Sequence, residues 1–226
     1  MNVQVDITKN GKTTLATEGL YCDRDIDVNV EVGSDYTTIL DGTITGDYVN
    51  ENVTILRMGA FSGCRQLKSV SLPNCTEFSG TNTFYLCENI TDVNLPNLTR
   101  ITDGSNTFYN AKYLKEANFP KLTTIGTTTQ RMFQTCMNIK KISLPLLGGT
   151  TIQAYTFSNC NKMETLILGG DTLNPLGNTN AFTNAGNQTE NGFSVYVPDD
   201  LVEAYKTATN WSTLASKIKP MSELEE

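Results

Sequence analysis

The chain contains no histidine. Ser-His-Asp and Cys-His nucleophile systems therefore cannot be built from it, and the imidazole ligands of most catalytic zinc sites are missing. Its six cysteines, Cys22, Cys64, Cys75, Cys87, Cys136 and Cys160, never form a Cys-x-x-Cys pair, which with the missing histidine argues against a zinc site. There is no Gly-rich phosphate loop and no Asp-x-Asp-x-Asp-Gly calcium loop. Gly148-Gly149 and Gly169-Gly170 read as turns, and Asp199-Asp200 as a helix start. No catalytic residue, cofactor or metal ligand is expected.

Positive charge is also scarce. The net charge is −7 with pI about 4.7, and no basic run occurs. Nucleic acid and anionic membranes are therefore not expected partners. No stretch approaches the ~20 apolar residues of a membrane span, so membrane insertion is not expected. The opening MNVQVDITKN lacks the basic and apolar regions of a Sec signal. A cytosolic chain, a chain whose signal has been removed, and a chain that leaves in a virion after lysis all fit that beginning.

What the chain does have is a period. FSGCRQLKSVSLP starts at Phe61, FYLCENITDVNLP at Phe84, FYNAKYLKEANFP at Phe108, FQTCMNIKKISLP at Phe133 and FSNCNKMETLILG at Phe157, with a partial copy from Phe182. The phenylalanines are 23, 24, 25, 24 and 25 residues apart, a spacing that signals a solenoid of stacked supersecondary units. In the first copy Phe61, Cys64, Leu67, Val70 and Leu72 are expected to point inward. The Val-x-Leu step has strand period. The Phe-x-x-Cys-x-x-Leu steps have helix-like or tight-turn spacing, and Pro73 ends the strand. Cysteine exchanges with Ala111 and Ala185, so that position wants a small apolar group. Buried reduced thiols follow from this; a disulfide between Cys64 and Cys87 is the alternative. A second apolar spot follows each proline, at Cys75 and Phe78, Leu98 and Ile101, Leu122 and Ile125, and Leu147 and Ile152. The polar segments after it vary in length and are expected to line one edge.

The flanks differ in texture. Residues 1–33 alternate at Val3, Val5, Ile7 and again at Ile26, Val28, Val30, Val32, with Asn10-Gly11 as a hairpin turn. They read as a small β unit that docks on something or oligomerises. Residues 34–53 read as one or two strands covering the first coil, and residues 54–192 as the repeats. Residues 193–226 read as a last strand from Phe193 to Val197 followed by a helical cap. In that cap Asp199 and Asp200 open one helix. Asn210 caps a second, with Trp211, Leu214 and Ile218 on one face. The tail MSELEE is expected to fray.

The pattern Phe-x-x-Cys-x-x-Leu-x-x-Val-x-Leu-Pro resembles the BspA-type leucine-rich repeat over residues 54–198. VYVPDDLVEAYKTATNWSTLASKIKP resembles the cap that ends such arrays. DITKNGKTTLATEGLYCDRDIDVNVEV, followed by TILDGTITG, resembles leaders on repeat proteins of phages and prophages. The resemblance implies an α/β-type leucine-rich repeat solenoid with short parallel strands. Its implied function is that of a non-catalytic adhesin or binding protein. With no signal or cell-wall anchor in view, a phage tail or baseplate component that contacts the host surface is favoured over a bacterial surface adhesin or a structural spacer. The expected partners are a host surface protein or glycan. Residues 1–33 would meet other tail proteins or form a trimer. The expected location is the virion tail or the cell exterior.

Any recognition must use the surface of the coils. The outward strand residues form a candidate binding strip of Ser69, Ser71, Asp92, Asn94, Glu116, Asn118, Lys141, Ser143 and Thr165, continued by Ile167. The same residues would serve a merely solubilising face. Tyr85, Tyr109 and Tyr113 form a second candidate set, for recognition or equally for packing between coils. The copy from Phe133 differs most from its siblings at Lys140, Lys141 and Ser143 and in the TTTQRM loop before it, which marks those positions for inspection.

Overall fold

Each three-residue step of the repeat closes a turn. Cys64 N–H donates to Phe61 O at 3.1 Å and Leu67 N–H to Cys64 O at 3.1 Å. The same pair of bonds recurs after Phe84, Phe108, Phe133 and Phe157. The Phe-x-x-Cys-x-x-Leu spacing is thus a chain of tight turns rather than a helix. In the computed structural model, residues 5–9 and 12–16 are described as backbone and residues 44–224 in full.

Strands β1 (Val5–Lys9) and β2 (Lys12–Ala16) pair antiparallel, with Lys9 opposite Lys12 at the closed end. The expected strand over Ile26–Val32 and Cys22 lie outside the described residues. From residue 44 the chain winds in one direction. The first strand of each coil forms one side: β3 (Gly46–Val49), β5 (Leu67–Ser71) and β7 (Asp92–Asn94) pair in parallel. The row continues through β9 (Glu116–Asn118), β11 (Lys141–Leu144), β12 (Thr165–Leu168), β13 (Ser194–Val197) and β14 (Ile218–Pro220), again in parallel. Between the two groups Lys115 N–H reaches Thr91 O at 3.3 Å.

A second parallel sheet was not foreseen. It consists of β4 (Ile55–Arg57), β6 (Glu77–Ser79), β8 (Arg100–Ile101) and β10 (Thr124–Ile125), extended by a bridge from Ile152 to Leu176. These strands are two or three residues long and bury one side chain each: Leu56, Phe78, Ile101 and Ile125. Strands this short show no alternation to read, so only the isolated apolar spot was visible. The stretch read as a cover for the first coil supplies β3 in parallel with β5, and Tyr48 packs edge-on against Phe61 at 5.3 Å.

The core is a column of repeated side chains. Phe61, Phe84, Phe108, Phe133 and Phe157 are fully buried, and the first four stack nearly parallel at 4.9, 5.1 and 5.4 Å between centroids. Burying each ring contributes about 2–3 kcal/mol, and each aromatic contact adds roughly 1 kcal/mol. Beside them runs the cysteine column. Cys87 Sγ donates to Phe61 O at 2.9 Å, Cys136 Sγ to Phe108 O at 3.1 Å and Cys160 Sγ to Phe133 O at 3.2 Å. The position therefore does more than hold a small apolar group, since the thiol satisfies a carbonyl of the preceding coil.

The phenylalanine turns carry their own intercoil ladder. Phe84 N–H donates to Thr107 O and Leu86 N–H to Tyr109 O; Phe108 N–H donates to Met132 O and Asn110 N–H to Gln134 O. Aiming alternate N–H groups at the next coil requires left-handed backbone two residues before and two after the ring. Gly59, Asn82, Asn106, Arg131 and Tyr155 hold the first place; Gly63, Leu86, Asn110, Thr135, Asn159 and Asn184 hold the second. Asn and Gly are the residues that tolerate this conformation. Gly169-Gly170 is not a left-handed turn. A Cβ on Gly170 would lie 2.4 Å from Gly148 N, so glycine there lets two coils approach.

The cap differs in detail from expectation. A 3-10 turn over Asp199–Leu201 leads into α1 (Val202–Thr207), with no side-chain cap; Asp199 instead accepts Ser222 N–H at 3.0 Å. Trp211–Lys217 is a 3-10 helix, and Ile218 leaves it to begin β14. Asn210 stands at the N-cap of that helix as expected, but its side chain makes no cap bond. Its backbone is left-handed, and its Nδ2 donates to Leu176 O at 2.7 Å. The start of the tail, Met221–Glu223, forms a further 3-10 turn. No helix among the described residues is long and apolar enough to cross a membrane.

Candidate functional site

The parallel register brings the predicted strip together in two parts. Ser69 lies beside Asp92 and Ser71 beside Asn94. Lys141 is flanked by Glu116 and Thr165, and Ser143 by Asn118 and Ile167. Ser69 Oγ donates to Asp47 Oδ1 at 2.7 Å, and Asn94 Nδ2 to Ser71 Oγ at 2.9 Å. Asp92 accepts the Thr91 hydroxyl at 2.5 Å. The middle of the strip is different. Glu116, Asn118 and Lys141 are exposed, and none is joined to another side chain by a hydrogen bond or ion pair among the described residues. Ser143 and Thr165 are half-buried. Ile167, expected on this outward row, is 5% exposed yet outside the main core cluster. It lies between Ser143 and Tyr196 in the register, which ends the polar strip there.

The tyrosines divide. Tyr85 and Tyr109 stack at 5.2 Å and line a shallow depression of about 530 Å³ with Asn82, Asn106, Arg131 and Gln134. Tyr113 is 53% exposed and does not line it. Asn106 Nδ2 donates to Asn82 Oδ1 at 3.0 Å, and the Arg131 guanidinium lies 5.4 Å from the Tyr155 ring centroid. Sequence reasoning had marked Tyr85, Tyr109 and the TTTQRM loop separately. Asn82, Asn106 and Arg131, each two residues before a ring, share this surface with Tyr85, Tyr109 and Gln134, each one residue after a ring.

Charge is handled locally on the edge of the turns. Glu88 pairs with Lys112 at 2.8 Å and with Arg65 at 3.7 Å. The Lys112 hydrogen bond, and then both cations, hold the Glu88 carboxyl below its usual range. Among the described residues no group of His, Cys, Asp or Glu could hold a metal ion.

Two stacked parallel sheets, one coil per 23–25 residues and a buried phenylalanine column define a leucine-rich repeat solenoid. The sequence profile of the BspA type leucine rich repeat region matches residues 43–164 and 127–195 in six copies. The chain belongs to that family, whose repeats serve as protein-interaction and binding modules. It is similar to a leucine-rich repeat protein of T. pallidum at 18% identity, with 74% of this chain and 79% of that chain covered and a TM-score of 0.41. It is also similar to a leucine-rich repeat protein of Bacteroides ovatus at 18% identity, covering 76% of this chain and 46% of that one, with a TM-score of 0.38. No curated protein matches it in sequence.

Proposed function

We propose that this chain is a non-catalytic binding protein of a phage tail or baseplate, whose strand strip meets a polar protein or glycan surface of the host cell. The supporting observation is the unspent hydrogen-bonding capacity at the centre of the strip. Glu116, Asn118 and Lys141 project from adjacent parallel strands with no side-chain partner among the described residues. A partner that supplies complementary groups gains charge-assisted hydrogen bonds there without first breaking a side-chain bond within the protein. Placement on a tail is supported by the leader resemblance of residues 1–33 and by their β1–β2 hairpin, antiparallel where every coil is parallel.

The test uses the full chain on host cells and on a tail-protein extract, beside a variant carrying Glu116→Ala, Asn118→Ala and Lys141→Ala. The reading expects retention on host cells that the triple variant loses, and an oligomer or tail complex formed by both. A strictly monomeric chain that binds neither would overturn it. Host-cell binding untouched by the triple substitution would remove the strip as the contact surface. A longer reading frame with a secretion signal would move the same strip to a bacterial surface adhesin.

A further inference from the structure

We propose that the depression lined by Asn82, Tyr85, Asn106, Tyr109, Arg131 and Gln134 is a second binding site, distinct from the strand strip, for an acidic saccharide. Arg131 is the sole charged group in its lining, and it makes no ion pair among the described residues. In a chain of net charge −7, an exposed guanidinium without a carboxylate beside it leaves its fork of donors for an anion. Tyr155 fixes the guanidinium from the next coil, 5.4 Å from its ring centroid, so the group is held in place before a ligand arrives.

The neighbouring groups select what carries that anion. The Tyr85–Tyr109 stack offers ring surface of the kind that packs against the C–H faces of sugars, and neither hydroxyl is bonded to the protein among the described residues. The single bond from Asn106 Nδ2 to Asn82 Oδ1 leaves Asn82 Nδ2 as a donor and Asn106 Oδ1 as an acceptor. Donors, acceptors, ring faces and one cation in a polar depression suit a polyhydroxylated carboxylate. An apolar peptide would find no pocket for an anchor side chain here. The coils present these groups at the inter-strand spacing of about 4.8 Å, comparable to the length of one sugar residue in a linear chain. Arg131 also departs from its repeat position. Its backbone is left-handed, φ 57°, where the preceding coils use Gly59, Asn82 and Asn106.

The test is calorimetric titration of the full chain with an oligogalacturonate, a neutral galactose oligomer of equal length and a glycerol-phosphate oligomer. The oligogalacturonate should bind, and the other two should bind at least about tenfold more weakly. Arg131→Asn places there the residue of the two preceding coils, Asn82 and Asn106, so it should keep or raise the melting temperature while cutting affinity about tenfold or more. Tyr109→Ala should weaken binding as well, and the triple variant of the strand strip should bind as well as the parent. No oligogalacturonate binding at millimolar concentration, equal binding of the neutral oligomer, preference for the phosphate polymer, or full affinity in Arg131→Asn would each overturn the proposal. None of these results bears on the strand strip, which is read out on host cells.

Discussion

The side-chain amide of Asn174 donates to the phenolic oxygen of Tyr205 at 3.0 Å, and the backbone N–H of Asn174 donates to the same oxygen at 2.9 Å. Asn174 is 0% exposed. It also donates to Leu147 O at 3.0 Å, accepts Thr150 N–H at 3.1 Å through Oδ1, and accepts Trp211 Nε1–H at 2.7 Å through its carbonyl. One residue thus ties two coils to the cap. Asn174→Ala strands several buried polar groups and should cost about 3 kcal/mol. Tyr205→Phe removes one oxygen and should cost about half as much. Urea unfolding measures both. Hydrogen exchange should show faster exchange in α1 and β14 before the central coils are affected.

Phe133 tests the core itself. It stacks on Phe108 at 5.4 Å and Phe157 at 6.0 Å, with Phe119 at 6.5 Å. Phe133→Ala should cost about 3–5 kcal/mol, read as a lower urea midpoint. An unchanged midpoint would contradict the buried column.

The left-handed places make the opposite kind of prediction. Leu86 and Thr135 have φ 58° and 65° in positions that other coils fill with Gly63, Asn110, Asn159 and Asn184. A β-branched residue is especially disfavoured there. Thr135→Asn should therefore stabilise by about 1 kcal/mol, visible as a higher melting temperature. Leu86→Asn should gain less, because leucine is not branched at Cβ.

The repeat was legible because its spacing reports turns and strands that bury the same side chains in every coil. Phe61, Cys64, Leu67, Val70 and Leu72 are all buried as the pattern implied. Features that use single residues or backbone were not legible. The second sheet contributes one inward side chain per strand, such as Ile101 of β8. Asn174 looks like an ordinary loop residue until Tyr205 and Trp211 close over it. Asn210 has the composition of a helix cap, but its amide is spent on Leu176 O. Of the candidate surfaces, the strip followed from strand period, whereas Arg131 joins Tyr109 only through the winding of the coils.

The absent histidine and the buried thiols together shape the pH dependence. Burial pushes Cys75 up from its usual 9.0 to about 11. Burial raises Cys136 and Cys160 as well. Above pH 9 the unfolded chain releases thiol protons that the folded chain keeps. The unfolded state then binds fewer protons, and stability falls as pH rises. The stability due to Cys75 is complete below pH 9.0 and is lost as pH passes about 11. On the acid side Glu88 is depressed below its usual 4.5 by Lys112, so its contribution is present above that value and fades as pH falls further. With no histidine, no side chain of ordinary pKa titrates between about pH 5 and 8. Urea midpoints should accordingly be level from about pH 5.5 to 8 and decline beyond pH 9. Alanine at Cys75, Cys136 and Cys160 should flatten the start of the alkaline limb while lowering the plateau, and leave a later decline from Tyr205, which burial also raises above its usual 10.0. A decline from about pH 9 that survives the triple substitution would show that groups other than these thiols control it.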